Sequence, residues 1–435
     1  MPDPVVLLSV PGLRHRDLAA MPALSQWMRG GSSPLTPSFP CVTCPVQANM
    51  TTGKLPREHG VIANGFYWRD KQQVEMWTAW NDCITGPQIW DSLHQRDAAI
   101  KSAVWFPLHS KGCGADYICT PAPIHNPDGS ESLWCYTRPT ELYGTLRDSL
   151  GHFPLHHFWG PMANIKSTAW IADSALHAAR AWRPDFFYIY LPHLDYAAQK
   201  LGPNSPAAQA SLGELDAVLT KLASGLRDAY GRDPLTIVAS EYGIVPVDHA
   251  TYPNRVLREA GLLKVRDEAD GEHLDLQQSR AWAMVDHQLS HIFTADDIAT
   301  RQVQQLFTGR EGIDEVLVGG DLAKYGLDHP RSGQAVLVSR PNSWQAYYWW
   351  LSDDRAPGFA RTVDIHRKPG YDPVELHVDM ATRSIPLKAE LVKGSHGAPA
   401  RSAEQRGVIL ASRDGVLPGG ELRDVDVYNL VLGQF

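Results

Sequence analysis

Short, predominantly apolar runs recur along this chain, each about the length of one strand, and they restrict the fold more than any other feature. They are Val5–Val10, Ala99–Phe106, Phe186–Leu191, Leu235–Ala239 and Gly407–Ala411. Runs without polar alternation suit strands covered on both faces, as in a parallel sheet. Between them lie helical patterns such as Ser167–Ala181 and Pro206–Tyr230. The alternation predicts an α/β fold, a mostly parallel sheet sandwiched by helices. Ligands in such sheets bind at the carboxyl ends of strands. Residues just after each run are therefore the candidates for chemistry.

At 435 residues the chain exceeds one minimal domain. The pattern changes after about residue 250, where aromatic and charged clusters such as Trp344–Leu351 appear. The expected organisation is a first core part over 1–250, an inserted cap over 251–389 and a return to the core over 390–435. The irregular stretch Pro121–Gly151 is also expected to lie over the sheet. Net charge is −8 with no long run of one sign, which argues against a nucleic-acid partner. No apolar stretch reaches membrane-spanning length, and Val5–Val10 is too short for a signal-peptide core. The six cysteines have no framework spacing, so free thiols and a cytoplasmic location are the expectation. Cys41 and Cys44 read as small packing residues around Thr43, with a redox or zinc pair as the alternative.

Three strand-end segments hold most of the reactive residues. In Pro34–Gly60, Thr43 precedes a helix-like stretch. A hydroxyl there faces unpaired backbone N–H groups and the positive end of a helix dipole, a setting for attack on an anionic phosphoryl group, though such a threonine can equally be an N-cap. In Tyr190–Pro203, His193 and Asp195 are two apart, so an extended chain would point both to one side as a partial metal site. A His–Asp hydrogen bond holding a loop is the alternative. In SEYG (240–243), Glu241 stands where a strand-end ligand would. Downstream, GSHG (394–397) sets His396 between glycines, which allow close backbone approach.

Together these segments resemble the type I phosphodiesterase/nucleotide pyrophosphatase branch of the alkaline phosphatase superfamily. VVLLSVPGLRHRDL is similar to its first strand and turn, and FPCVTCPVQANMTTGKLPREHGVIANGFY to its nucleophile segment. LDYAAQKLGP, ASEYGI and KGSHG resemble its later metal-ligand motifs in their expected order. The resemblance implies Thr43 as nucleophile, Asn64 as the phosphoryl-oxygen partner, and Asp195 and His396 as ligands of one metal. The family's other ligand positions hold Pro11, Gln199, Glu241 and Tyr242. Proline has no donor and tyrosine is a poor zinc ligand, so one divalent metal at most (Zn, Mn or Mg) is expected, held by Asp195, His396, His193 and Glu241.

The expectation is a hydrolase or transferase acting on a small phosphoester or phosphonate, with catalytic Thr43, Asn64 and Glu241. Arg367 and Lys368 are candidates for binding the substrate phosphate. Asp286–His287, Asp328–His329 and Asp364–His366 are further polar pairs that could supply missing ligands. The alternatives are a catalytically silent binding protein that kept the fold and a metal-independent transferase.

Overall fold

The computed structural model describes residues 3–125 and 131–435. Its centre is a nine-stranded sheet. In chain order the strands are β1 (Val5–Ser9), β2 (Ser32–Thr36), β3 (Ser102–Trp105), β4 (Tyr117–Pro121), β5 (Cys135–Arg138), β6 (Phe186–Tyr190), β7 (Leu235–Ala239), β12 (Gly407–Ala411) and β13 (Leu422–Arg423). Strands β8 (Ala281–Asp286), β9 (Leu289–Thr294), β10 (Ile313–Val318) and β11 (Ala335–Ser339) form a separate antiparallel sheet in the order β8-β9-β11-β10. The central order is β13-β2-β12-β7-β1-β6-β3-β4-β5. Its inner strands β7, β1, β6, β3 and β4 are parallel, the first four as the apolar runs predict, while β4 lies outside those runs. The last such run differs, because β12 pairs antiparallel with both β7 and β2.

Period-two alternation explains the layers. Val6, Leu8, Phe187, Ile189 and Val238 enter one core with Ile171, Leu176, Leu215 and Leu222. Val5, Leu7, Phe186, Tyr188 and Ile237 enter the other with Val46, Met50, Trp90 and Val431. The first core is covered by α2 (Ile165–Trp182) and α4 (Pro206–Tyr230), the second by α1 (Thr43–Thr52) and α5 (Asp426–Leu432). Each large apolar side chain so buried contributes about 1.5–3 kcal/mol. Gly225 permits the close approach of α4 to α2, since a Cβ there would lie 2.6 Å from Leu176.

Part of Pro121–Gly151 joins the sheet and part covers it: β4 and β5 extend the edge as an antiparallel pair, and the helix Leu142–Leu150 packs Leu142, Tyr143 and Leu146 into the first core. Within 251–389, β8–β11 and the run Trp344–Trp350 share a third apolar core with Phe39, Val42 and Ile62. No helix among the described residues is long and apolar enough to cross a membrane.

Candidate active site

The sheet register brings the candidate residues together. Ser9 at the end of β1 pairs with both Tyr190 and Ala239. The segments after β1, β6 and β7 therefore leave the same sheet edge side by side. Past β6 the chain turns into α3 (Leu194–Leu201), and past β7 it continues as Ser240–Glu241–Tyr242. Gly394 approaches α3 so closely that a Cβ would lie 2.2 Å from the Ala198 carbonyl oxygen, and Gly397 adopts φ +118°. His396 between them is thus carried beside α3, with its Nδ1 2.8 Å from the Cys41 carbonyl.

Thr43 opens α1 and is 4% exposed. Its Oγ1 lies 2.9 Å from the Tyr242 hydroxyl. That hydroxyl also stands 3.4 and 3.5 Å from the two Asp195 carboxylate oxygens. The Tyr242 ring stacks on His396 at 3.6 Å between centroids. A phenol therefore fills the space between threonine, carboxylate and imidazole. Burial pushes Asp195 up to about 7, while hydrogen bonds from Gln199 and Tyr242 pull the other way.

Glu241 is fully buried. Its Oε1 accepts from Ser9 Oγ at 2.6 Å and Gln47 Nε2 at 2.7 Å, and Oε2 has no hydrogen-bond partner. Burial pushes Glu241 up to about 8, against the pull of those two donors. Gln47 is four residues beyond Thr43 on the same face of α1, and its own oxygen accepts from the Leu108 N–H at 2.7 Å.

Asn64 Oδ1 accepts from the Cys44 N–H at 2.9 Å, and its Nδ2 donates to Asp286 Oδ1 at 3.0 Å. Asp286 ends β8, so the stretch 251–389 contributes to this site. His287 Nδ1 lies 2.6 Å from Asp286, and its ring stacks on Tyr371 at 3.6 Å. Burial pushes Asp286 up to about 6, and holds His287 and His396 well below the usual histidine value. The Tyr371 hydroxyl donates to Gln199 Oε1 at 2.6 Å. Of the polar pairs in this stretch, Asp286–His287 reaches the site. Asp364 instead bonds Arg367, and His329 sits beside Gly60.

Three sequence expectations are corrected. His193 does not join Asp195, because the chain there is helical rather than extended, and two helical residues point about 200° apart. Its Nε2 meets Glu214 at 2.7 Å instead. Lys368 is buried and bonds Thr362 O at 2.9 Å, Asp372 at 2.9 Å and Glu375 at 2.6 Å, so it has no donor left for substrate. Arg367 is exposed and paired with Asp364, whose carboxylate accepts from the Arg367 backbone N–H and caps the turn. Ser9, Gln47 and Tyr371 were not singled out in the sequence. For Gln47 the i, i+4 spacing from Thr43 was the available signal, and for the other two there was none.

The family model for type I phosphodiesterase/nucleotide pyrophosphatase matches residues 5–372. The chain belongs to the type I phosphodiesterase/nucleotide pyrophosphatase family. These are phosphodiesterase/pyrophosphatase hydrolases, and members are typically metal-dependent. Over 235 residues the chain is 23% identical to an uncharacterized pyrophosphatase/phosphodiesterase of Schizosaccharomyces pombe, covering 51% of this chain and 39% of the yeast protein. Its fold is similar to that of phosphonoacetate hydrolase from Sinorhizobium meliloti 1021 in complex with phosphonoformate. That match has TM-score 0.65 and 18% identity, over 100% of this chain and 96% of the other. It is also similar to an inactive variant of murine ectonucleotide pyrophosphatase/phosphodiesterase 5 in complex with AMP. There the TM-score is 0.62 and identity 15%, over 99% of this chain and 94% of the other.

The donor set does not fit the family's metal pair. Pro11 offers no donor, the Glu241 carboxylate is turned onto Ser9 and Gln47, and the Tyr242 phenol lies between Thr43 and Asp195. His396 Nε2 is buried without a partner, yet the Tyr242 ring stacks against its imidazole. Among the described residues, the one grouping of three His, Cys, Asp or Glu with ligand atoms within 4.8 Å is Glu268, Asp270 and His273, within 251–389. The Cys41 and Cys44 thiols are free and buried, and burial pushes both up, as suits packing residues.

Proposed function

We propose that this family member transfers the phosphoryl or phosphonyl group of a small ester to Thr43, using the Tyr242 hydroxyl and Asp195 where relatives use a metal. The observation that carries the reading is the 2.9 Å contact between Thr43 Oγ1 and Tyr242, with Asp195 on the far side of the same hydroxyl. Thr43 Oγ1 forms the bond to phosphorus as the substrate's ester oxygen leaves. The threonine proton passes to Tyr242 as the tyrosine proton passes to Asp195. A buried carboxyl near 7 is suited to that exchange at neutral pH. The leaving oxygen takes its proton from solvent, or departs as phenolate from an aryl ester. Water then attacks phosphorus, and the Thr43 oxygen recovers its proton by the reverse route.

The start of α1 supplies the positive dipole end behind Thr43, and the Asn64 Nδ2 hydrogen not given to Asp286 is the donor we assign to a phosphoryl oxygen. The single-metal version would rely on Asp195 and His396 as its two conventional donors, and Tyr242 packs against both.

The test is incubation with bis(4-nitrophenyl) phosphate and 4-nitrophenyl phosphate in excess EDTA, followed by acid quench and peptide mass spectrometry. Phosphothreonine at Thr43 from the monoester, or its 4-nitrophenyl ester from the diester, present in the wild type and absent in Thr43→Ala, is the expected result. A folded wild type with neither turnover nor modification would sink the reading. One observation favours a second reading, a silent binding protein: Tyr242 packs in an apolar cluster with Cys41, Ala198 and Ile244, closing the site. That reading predicts AMP binding without any turnover.

A further inference from the structure

A groove of about 270 Å³ runs on the opposite side of α3 from the candidate catalytic residues. Asp195 and Gln199 occupy one face of α3. His193, Tyr196, Ala197 and Lys200, at spacings of three, four and seven, line the groove. Across it, α4 presents Ala207, Ala210, Ser211 and Glu214 with the same spacing. The turn 202–205 joins the two helices, so they run side by side in opposite directions. The bond between His193 and Glu214 closes one end, and Lys200 stands at the other, seven residues and about 10 Å along the helix. The small residues between them keep the space open, and the loop 160–164 and Leu376 form the remaining wall.

The two ends differ in chemistry. His193 Nε2 donates to the Glu214 carboxylate, which leaves Nδ1 as an acceptor; that atom is buried and has no partner. Nδ1 has almost no accessible surface, so it does not face the groove, and the His193–Glu214 pair simply closes that end. At the other end, Lys200 has no carboxylate within ion-pair distance among the described residues. Burial first, then the charges of Lys200 and Lys393, hold His377 well below the usual histidine value, to about 4. Two lysines so placed suit an anion. Between the ends, the alanines, Leu201, Leu376 and the Tyr196 ring offer apolar contact. The volume equals about nine waters at roughly 30 Å³ each, room for a ligand of about ten heavy atoms.

We propose that this groove binds a small amphipathic organic acid, its acid group at Lys200 and its apolar body between α3 and α4. The site is independent of the phosphoryl chemistry proposed above, because its residues are on the other face of α3.

The probe is 4-hydroxyphenylacetate, titrated calorimetrically into the full chain, with 4-methylphenol as the analogue lacking the acid. Saturable binding of the acid is expected, weakened at least about tenfold by Lys200→Met and by Ala210→Leu, which fills the groove. Thr43→Ala should bind it as the wild type does, which separates this groove from the catalytic site. Ala210 is exposed, so Ala210→Leu is not expected to disturb folding, and circular dichroism checks both variants. No saturable binding up to about 10 mM, a Kd of about 10 mM corresponding to under 3 kcal/mol, overturns the proposal. So does an unchanged Kd in either groove variant, or equal affinity for 4-methylphenol.

Discussion

Replacing Glu241 by glutamine should cost about 1–3 kcal/mol of stability at low pH and stabilise the protein at high pH. Glu241 is fully buried, and its carboxyl moves from 4.5 to about 8 on folding, chiefly because burial disfavours the charged form. The folded state therefore holds a proton that the unfolded chain has released across that interval. The stability this group contributes is fully present below about pH 4.5 and is lost as pH rises through about 8. At about 1.4 kcal/mol per pH unit, the full loss is roughly 5 kcal/mol, with about 3 kcal/mol already gone at pH 7. Glutamine does not titrate, and its oxygen can still accept from Ser9 and Gln47. Its new N–H groups face the side where Glu241 Oε2 has no partner, which costs about 1–3 kcal/mol at every pH. The pH dependence, rather than the absolute difference, is thus the diagnostic. Urea unfolding of both proteins at pH 4.5, 7 and 9 measures it. The variant should gain several kcal/mol on the wild type between the first and last pH. Parallel pH profiles for the two proteins would refute the claim that Glu241 is folded in its protonated form.

Tyr242→Phe keeps the ring stack on His396 but removes the hydroxyl between Thr43 and Asp195. Turnover should fall about 10²–10³-fold with stability changed by only about 1 kcal/mol, and an undiminished kcat would show that the hydroxyl carries no proton. Pro11→Asp combined with Tyr242→His restores the family's residue types at two ligand positions. Elemental analysis should then find bound zinc where the wild type, purified alongside, has none at stoichiometric level; equal metal content would contradict the donor-set argument. Lys368→Met strips a buried ammonium from Asp372 and Glu375 and should cost about 3–5 kcal/mol of stability while leaving kcat/KM for an aryl phosphate unchanged. A selective rise in KM without destabilisation would return Lys368 to the substrate.

How far the sequence could be read depended on whether a residue's role was local. The runs Val5–Val10, Phe186–Leu191 and Leu235–Ala239 became adjacent parallel strands because a strand buried on both faces has no polar face to show, and that signature is written in consecutive residues. Pro206–Tyr230 is helical over the whole predicted span for the same reason. His193 marks the limit. Its pairing with Asp195 was inferred from an extended backbone, but the apolar run ends at Leu191 and the helix starts almost at once, so one change of local period sent the two side chains to opposite faces of α3. Lys368 fails differently. A basic residue on a polar segment is normally solvated, and only the folded chain shows Asp372 and Glu375 closing around it.

The departures at Pro11, Gln199 and Tyr242 were visible as letters, but not what replaced the lost ligands. Three contacts decide that: Tyr242 on Thr43, Tyr371 on Gln199, and Asp286 on Asn64. Tyr371 and Asp286 come from the stretch 251–389, far along the chain from the residues they meet. The same phenol that removes a ligand supplies a hydroxyl at hydrogen-bond distance from the presumptive nucleophile, so loss of metal ligands and loss of chemistry need not go together at this site. A side chain that merely filled space would have served as well with no oxygen. The placement of the oxygen between Thr43 and Asp195, with the ring held by His396, is what supports the proposed proton path over simple packing.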